Sequence, residues 1–381
     1  MTAGPDTIGH DRTHAAATDP LRTTPLELID GIESLIGANG EPMLYDAESG
    51  RYTRLSASGV RVVGLFDGER TGDDLIALLA RGDGEERERR ERSVLQFLAE
   101  LRQAGLLTLP PVEEARRERA ARAAGRELLW RKPLVRDVGT RLEPAAALLR
   151  RAPRRPLLAT LALLLVTAAV FVVLALSAGL PDPGGTIWPI VIALLIMQLA
   201  VHETSHALVS RFHGLNVREA GIGLLFYFWP IAYVDRTDAY RLRERSKRAS
   251  IVLAGPAADL LFAGTCALVA LLSHGDLSDT ARTIVLVECF GIMATFNPLL
   301  PSDGYHAVEA ASGELNLRSR AFSYLGHRIT RVPAPSALAS VSPGRARFYL
   351  LFAVACVAYV CVLCGGMLIT LLGWFGEGPL A

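Results

Sequence analysis

His202 and His206 stand four residues apart in "VHETSHALV", with Glu203 beside the first. On a helix that spacing turns both imidazoles to one face, where two ring nitrogens can grip a single metal ion. Glu203 falls where it can take a proton from a metal-bound water. H-E-x-x-H is a short pattern that also occurs by chance, and its surroundings give it weight. The three polar residues interrupt an apolar stretch, and a charged group at a bilayer centre costs about 2.5–3.5 kcal/mol on insertion scales. The structural alternatives are a buried hydrogen-bond network or an inactive relic. A zinc site with two histidines needs a third protein ligand and one position left for water. The candidate is Asp303 in "FNPLLPSDGYH", followed by Gly304, where a later apolar run ends.

Other polar residues in the apolar stretches carry weaker expectations. Ionisable groups inside spans are functional candidates by default, which applies to Asp259 and Glu288. Asp259 either orients a histidine ligand through its second ring nitrogen or pairs within the helix bundle. Glu288 reads as facing a polar cavity and not the metal. His306 reads as an interfacial structural histidine, with a partner of Asp303 or a substitute ligand as the alternative. His213 caps the end of its apolar run and meets headgroups. Cys361 and Cys364 form a C-x-x-C, but inside an apolar helix and without a second pair they read as small packing residues and not a metal or redox pair.

The elements that must position these groups follow from how charge is distributed. The 381 residues hold 40 Lys plus Arg against 39 Asp plus Glu, and half are hydrophobic. A net charge of +1 offers no bulk attraction to nucleic acid, so no nucleic-acid partner is expected. Charged residues crowd the first 155 positions and long apolar runs fill the rest, which excludes one ordinary soluble globule and points to a soluble head on a membrane body in contact with lipid. Spanning the hydrocarbon takes about 20 apolar residues. Five segments approach that: about 157–179, 187–211, 250–273, 282–300 and 347–374. Gly365-Gly366 could mark a break in the last.

Basic residues alternate between the connections. Arg150, Arg151, Arg154 and Arg155 form a collar before the first run. Segments 212–249 and 302–346 are rich in arginine, whereas 180–186, 274–281 and the tail after Trp374 have no Lys or Arg. The expectation is a multi-pass protein of a bacterial plasma membrane, head cytoplasmic and C-terminus outside. Gly221–Val234 is too short to span. Its aromatic, glycine and Pro230 content suggests an interfacial or re-entrant extended element, with a plain interfacial loop as the alternative.

The head divides further. Residues 1–24 read as a disordered tail, lacking the apolar run of a signal peptide. Residues 25–109 read as a small α+β domain: extended candidates at 26–33, 42–46 and 51–55, the last two flanking an Ala47–Gly50 turn, then helices over 56–66, 71–80 and 85–104. Residues 110–155 read as a basic, partly helical linker, and 156–375 as the membrane domain.

The phrases "LYDAESGRYTRLSASGVRVVGLFDGERT" and "LQFLAELRQAGLL" resemble the PqqD-like domain, a winged-helix module that recognises leader peptides of ribosomally made, modified peptides. The resemblance implies that a leader adds as a strand beside the sheet, against the third helix. A generic winged helix used for assembly is the alternative. H-E-x-x-H in one transmembrane helix, with N-P and D-G near the end of a later one, resembles the site-2 protease family (M50) of intramembrane zinc metalloproteases, as does "LAGPAADLLFA". That resemblance implies Zn2+ held by His202, His206 and Asp303, Glu203 as general base, and Asn297 positioning or polarising the substrate. The widespread form of the motif has more residues between its Asn and Asp than separate Asn297 from Asp303. The compact form here, followed by "NLRSRA", resembles the branch that carries PqqD-like heads.

The fold class expected is therefore multi-domain: a small α+β winged-helix head followed by an all-α bundle of about five transmembrane helices. The implied activity is that of a zinc-dependent metalloendopeptidase maturing a ribosomally synthesised peptide, bound through its leader by residues 25–109. The combination resembles proteases of daptide-type pathways. Two alternatives stand: regulated intramembrane proteolysis of a signalling protein such as an anti-sigma factor, and a non-catalytic peptide-binding or export scaffold. No segment resembles the PDZ domain common among signalling members, and a scaffold needs no intact ligand set.

Overall fold

A computed structural model describes residues 19–46, 52–109, 129–225, 229–314, 316–330 and 341–376. These fall into two compact units that divide at residue 129, apart from residues 37–40. His10, His14 and the tail before residue 19 lie outside the described residues.

The head contains α1 (Pro20–Thr23), β1 (Ile32–Ile36), β2 (Pro42–Asp46), β3 (Tyr52–Arg54), α2 (Ala57–Val63), α3 (Gly72–Leu79) and α4 (Glu85–Gln103). The strands form one antiparallel sheet in the order β1-β2-β3, with Ile32 opposite Asp46 and Tyr45 opposite Tyr52. The expected hairpin is β2–β3, and its turn residues 47–51 lie outside the described residues. The first strand is displaced from 26–33 to 32–36. Gly31, at φ +85°, breaks the run. Leu26 upstream is fully buried among the helices, leaving only isolated bridges at Pro25 and Leu28.

The helices start where side chains can satisfy free backbone N–H groups. Ser56 Oγ accepts from Gly59 N–H at 3.0 Å. Thr71 and Asp74 form a reciprocal capping box. The core joins Leu26, Leu44, Leu55, Leu75, Leu98 and Leu106.

The second unit departs from an all-α body. It begins with β4 (Leu129–Arg136), and β5 (Glu219–Leu225) and β6 (Trp229–Val234) complete an antiparallel sheet in the order β4-β5-β6. The described parts of the 221–234 segment, 221–225 and 229–234, are extended as expected, and part of the expected linker is a strand. In the described part of that linker, α5 (Val138–Arg151) follows the strand. Linker-like composition hides this strand because its pairing partner lies some 90 residues on, with Arg136 opposite Glu219. The buried residues Val138, Ala207, Val217 and Val234 pack together on the sheet side of the body.

The remaining helices are α6 (Arg154–Ser177), α7 (Trp188–Phe212), α8 (Arg245–Leu272), α9 (Asp276–Thr295), α10 (Asp303–Ser312), α11 (Leu317–Thr330) and α12 (Pro343–Gly376). Among the described residues four helices are long and apolar enough to cross a membrane: α6, α7, α8 and α12 over 343–366. α9 occupies the place of the expected fourth span but carries Asp276, Asp279, Arg282 and Glu288. Its first turns hold the 178–187 connection: Asp279 Oδ1 accepts from Asp182 N–H at 3.0 Å, and Thr280 Oγ1 from Ile187 N–H at 2.9 Å. Gly365-Gly366 produces no break, since α12 is continuous. Val172, Ala175, Val191, Ala263, Ala267 and Ile284 build the core between α6, α7, α8 and α9.

Candidate metal centre

Three side chains four residues apart, Gln198, His202 and His206, line one face of α7. α8 packs against that face. Its Asp259 carboxylate accepts from Gln198 Nε2 at 2.9 Å and contacts His202 Nδ1 at 2.8 and 2.9 Å. The same helix brings Gly255 against both histidines. A Cβ at Gly255 would overlap His206 Nε2 and the His202 ring, so this approach requires a residue without a side chain.

Asp303 arrives from the other direction. Asn297 Oδ1 accepts from Leu299 N–H at 2.9 Å, and its carbonyl accepts the Ser302 hydroxyl at 2.6 Å, which folds the chain back after α9. Ser302 then caps α10, with Asp303 in the first turn, where the helix dipole favours an acid. A side chain at Gly304 would run into the Phe296 carbonyl, so the tight return needs the D-G pair.

These elements converge on three atoms. His206 Nε2 lies 3.0 Å and His202 Nε2 3.2 Å from Asp303 Oδ2, and the two Nε2 atoms are 3.2 Å apart. His206 Nδ1 faces the Ile251 carbonyl at 2.7 Å, which can only accept, so Nδ1 carries the proton. His202 Nδ1 donates to the Asp259 carboxylate in the same way. Neutral rings so oriented turn two Nε2 lone pairs and a carboxylate oxygen toward one point. Three acceptors facing one another at this distance suit a cation between them. Bonds of about 2.0–2.1 Å in a tetrahedral zinc site give ligand–ligand edges of about 3.3 Å, close to the spacing found. The donor set fits a divalent metal with three protein ligands.

Each donor is also held from behind, as ligands of a metal site usually are. Asp259 holds His202, and the Ile251 carbonyl holds His206. Arg236 Nη1 donates to Asp303 Oδ1 at 2.8 Å. Glu203 is half-buried, within electrostatic reach of Arg236 and both rings.

Residues 190–360 match the family model Peptidase family M50, and all three donor residues fall inside the match. Residues 41–107 match the model of coenzyme PQQ synthesis protein D, so an M50 region follows a PqqD region in this chain. A Bacillus subtilis protein named "Putative peptide zinc metalloprotease protein YydH" is 30% identical over 33% of this chain and 49% of its own length. An uncharacterized Methanocaldococcus jannaschii protein, MJ0971, is 36% identical over 26% of this chain and 27% of its own. The chain therefore matches about half the length of the first of these relatives and about a quarter of the second. No solved structure matches the chain.

The M50 region brings His202, His206 and Asp303 together, with Asp259 behind the first. Asn297 contributes its side-chain oxygen to its own turn and not to the donor set. Glu288 is buried in α9, within electrostatic reach of Asp259 and His202. His306 turns away from Asp303 to Glu309, with Nδ1 3.1 Å from Oε2, which fits a structural histidine. His213 pairs with the Ser250 hydroxyl at 2.8 Å. Cys361 and Cys364 are exposed free thiols, not interior packing residues, in a stretch of α12 exposed at every position from 360 to 364. Arg236 was not legible from the sequence, where it is one of many arginines between 212 and 249. Its one distinguishing sign is its place just past the apolar stretch ending at Val234.

Proposed function

We propose that the M50 region is a zinc-dependent metalloendopeptidase acting at or within the membrane. His202, His206 and Asp303 would hold the metal. The observation that carries this reading is the convergence of three lone-pair donors, each fixed by an outer partner. A bound zinc would polarise a peptide carbonyl and lower the pKa of its water to about 7.

The chain's own residues would supply the remaining functions. Glu203, next to the first ligand on α7, accepts the water's proton and passes it to the leaving amine. Asp259 keeps His202 in the tautomer that presents Nε2. Asn297 shapes the turn that delivers Asp303. The outer edge of β6, the end strand of the sheet, would offer backbone N–H and C=O groups with which an unwound substrate segment can pair in extended form. The head would dock the leader of a ribosomally made, membrane-associated precursor, leaving the M50 region to cut it. With the head in the cytoplasm, both steps occur on the side where the precursor is made.

Co-expression with a precursor peptide encoded beside this chain tests the reading. Wild type cleaves the peptide, E203Q leaves it intact while retaining as much zinc as wild type, and H202A loses zinc on metal analysis. Cleavage by E203Q would remove the glutamate from the mechanism. Failure of a synthetic leader to bind the full chain would move the substrate to the signalling proteins of the alternative reading.

A further inference from the structure

Arg236 stands two residues past β6 on a short, braced turn. Asp235 Oδ1 accepts the Thr237 N–H at 3.0 Å and the Thr237 hydroxyl at 2.5 Å. The Asp235 N–H donates to the Glu219 carbonyl at 2.9 Å, adding one rung to the β5–β6 ladder. The arginine is thus carried on the end of a hairpin and reaches from there to the metal centre.

Its guanidinium makes two contacts of different kinds. Nη1 donates to Asp303 Oδ1 at 2.8 Å, and this pair is largely removed from solvent, with Asp303 only 7% exposed. The same nitrogen lies 3.4 and 3.5 Å from the two ring nitrogens of His206. Both ring nitrogens are engaged elsewhere, Nδ1 with the Ile251 carbonyl and Nε2 with Asp303. Nearly equal distances to both place Nη1 against the ring as a whole and not on either nitrogen.

A carboxylate can bind a cation through one oxygen or through both. With Oδ1 committed to the guanidinium, Oδ2 alone faces the two histidines. A carboxylate free to swing and bind through both oxygens would crowd the position that must stay open for water. We infer that Arg236 is a positioning residue that holds Asp303 in one-oxygen ligation and so ties the metal affinity of the centre to the end of the β5–β6 hairpin. This rests on the metal-site reading above and extends it to a residue outside the ligand motifs.

Zinc affinity, measured on the full chain in detergent by competition with a chromogenic chelator, tests the inference. R236A should bind zinc about 10–100-fold more weakly than wild type, the usual cost of removing an outer partner of a ligand. R236K restores the charge through a single donor group and should recover part of the loss. D235A frees the turn without removing the guanidinium and should fall between wild type and R236A. Wild-type affinity in R236A, or no recovery in R236K, overturns the inference. If R236A does not fold, D235A decides, and wild-type affinity there overturns it equally. H202A in the same assay separates the two levels: unchanged zinc binding in H202A defeats the metal-site reading itself. Loss in H202A with none in R236A defeats only the role of Arg236.

Discussion

In the head, the buried set is apolar, with Leu26, Leu75 and Leu98 fully enclosed, while the acidic and basic residues of α4 face outward. In the body the two sets change places. Leu163, Val166 and Val173 are exposed on α6, while His206, Asp259, Glu288 and Asp303 are buried. The same hydrophobic rule yields both patterns once the surroundings differ, water around one and hydrocarbon around the other. The comparison also explains where chemistry can be placed. A polar group in the head is cheapest at the surface. In the body an ionisable group is tolerated only when partners surround it, so the few that persist come as a connected set.

The largest expected effect tests whether the two units are held together separately. Leu98→Ala removes a fully buried side chain from the head core and should cost about 2–5 kcal/mol. Thermal unfolding should show the loss in the head's transition while zinc content stays at the wild-type level. Loss of zinc in the same variant would mean that the units do not stand independently.

A second pair of variants asks whether an exposed apolar residue means the same thing in both units. Val166→Arg on α6 should cost about 2.5–3.5 kcal/mol as a lipid-facing charge, seen as a drop in membrane-inserted yield. Leu78→Arg on the exposed face of α3 should stay within about 0.5 kcal/mol. Equal tolerance of both would leave α6 without a lipid-facing side.

The smallest effect sharpens the head alone. Thr71→Ala removes the capping box of α3 and should cost about 1 kcal/mol in the head's transition. Backbone and side-chain hydrogen bonds from Thr71 hold the Asp74 carboxyl below its ordinary value. A depressed folded-state pKa contributes stability above the unfolded value, which is lost as pH falls through the folded one. Wild type should therefore lose this contribution on acidification below the usual carboxylate range, and Thr71→Ala should show a flatter acid limb.

How much could be read in advance differs between the units for physical reasons. α2, α3 and α4 follow from local signals: a cap at Thr71, breakers at Gly68 and Gly105, and apolar residues at helical spacing. β4 was hidden because a strand inside an arginine-rich, proline-marked stretch is fixed only by its distant partner β5. At the centre, the histidine pair was legible because one helix sets its geometry. Asp303 was legible from its position and the D-G pair that a tight return requires. Arg236 was not, because its residue type is common on that side of the body and only the three-dimensional path of β6 singles it out. Asp259 stood between, an acid in a span whose partner could not be named until α7 and α8 were placed side by side.

Gly255 also shows how little separates a working centre from a silent one. A Cβ built there would overlap His206 Nε2 and lie 2.5 Å from His202 Nε2, against two of the three donors. One methyl group there would act as a plug, forcing out either the ion or the two rings, with all three ligands still in the sequence. On the proposed function, a chain altered at that single carbon would keep its ligand residues and lose the cut.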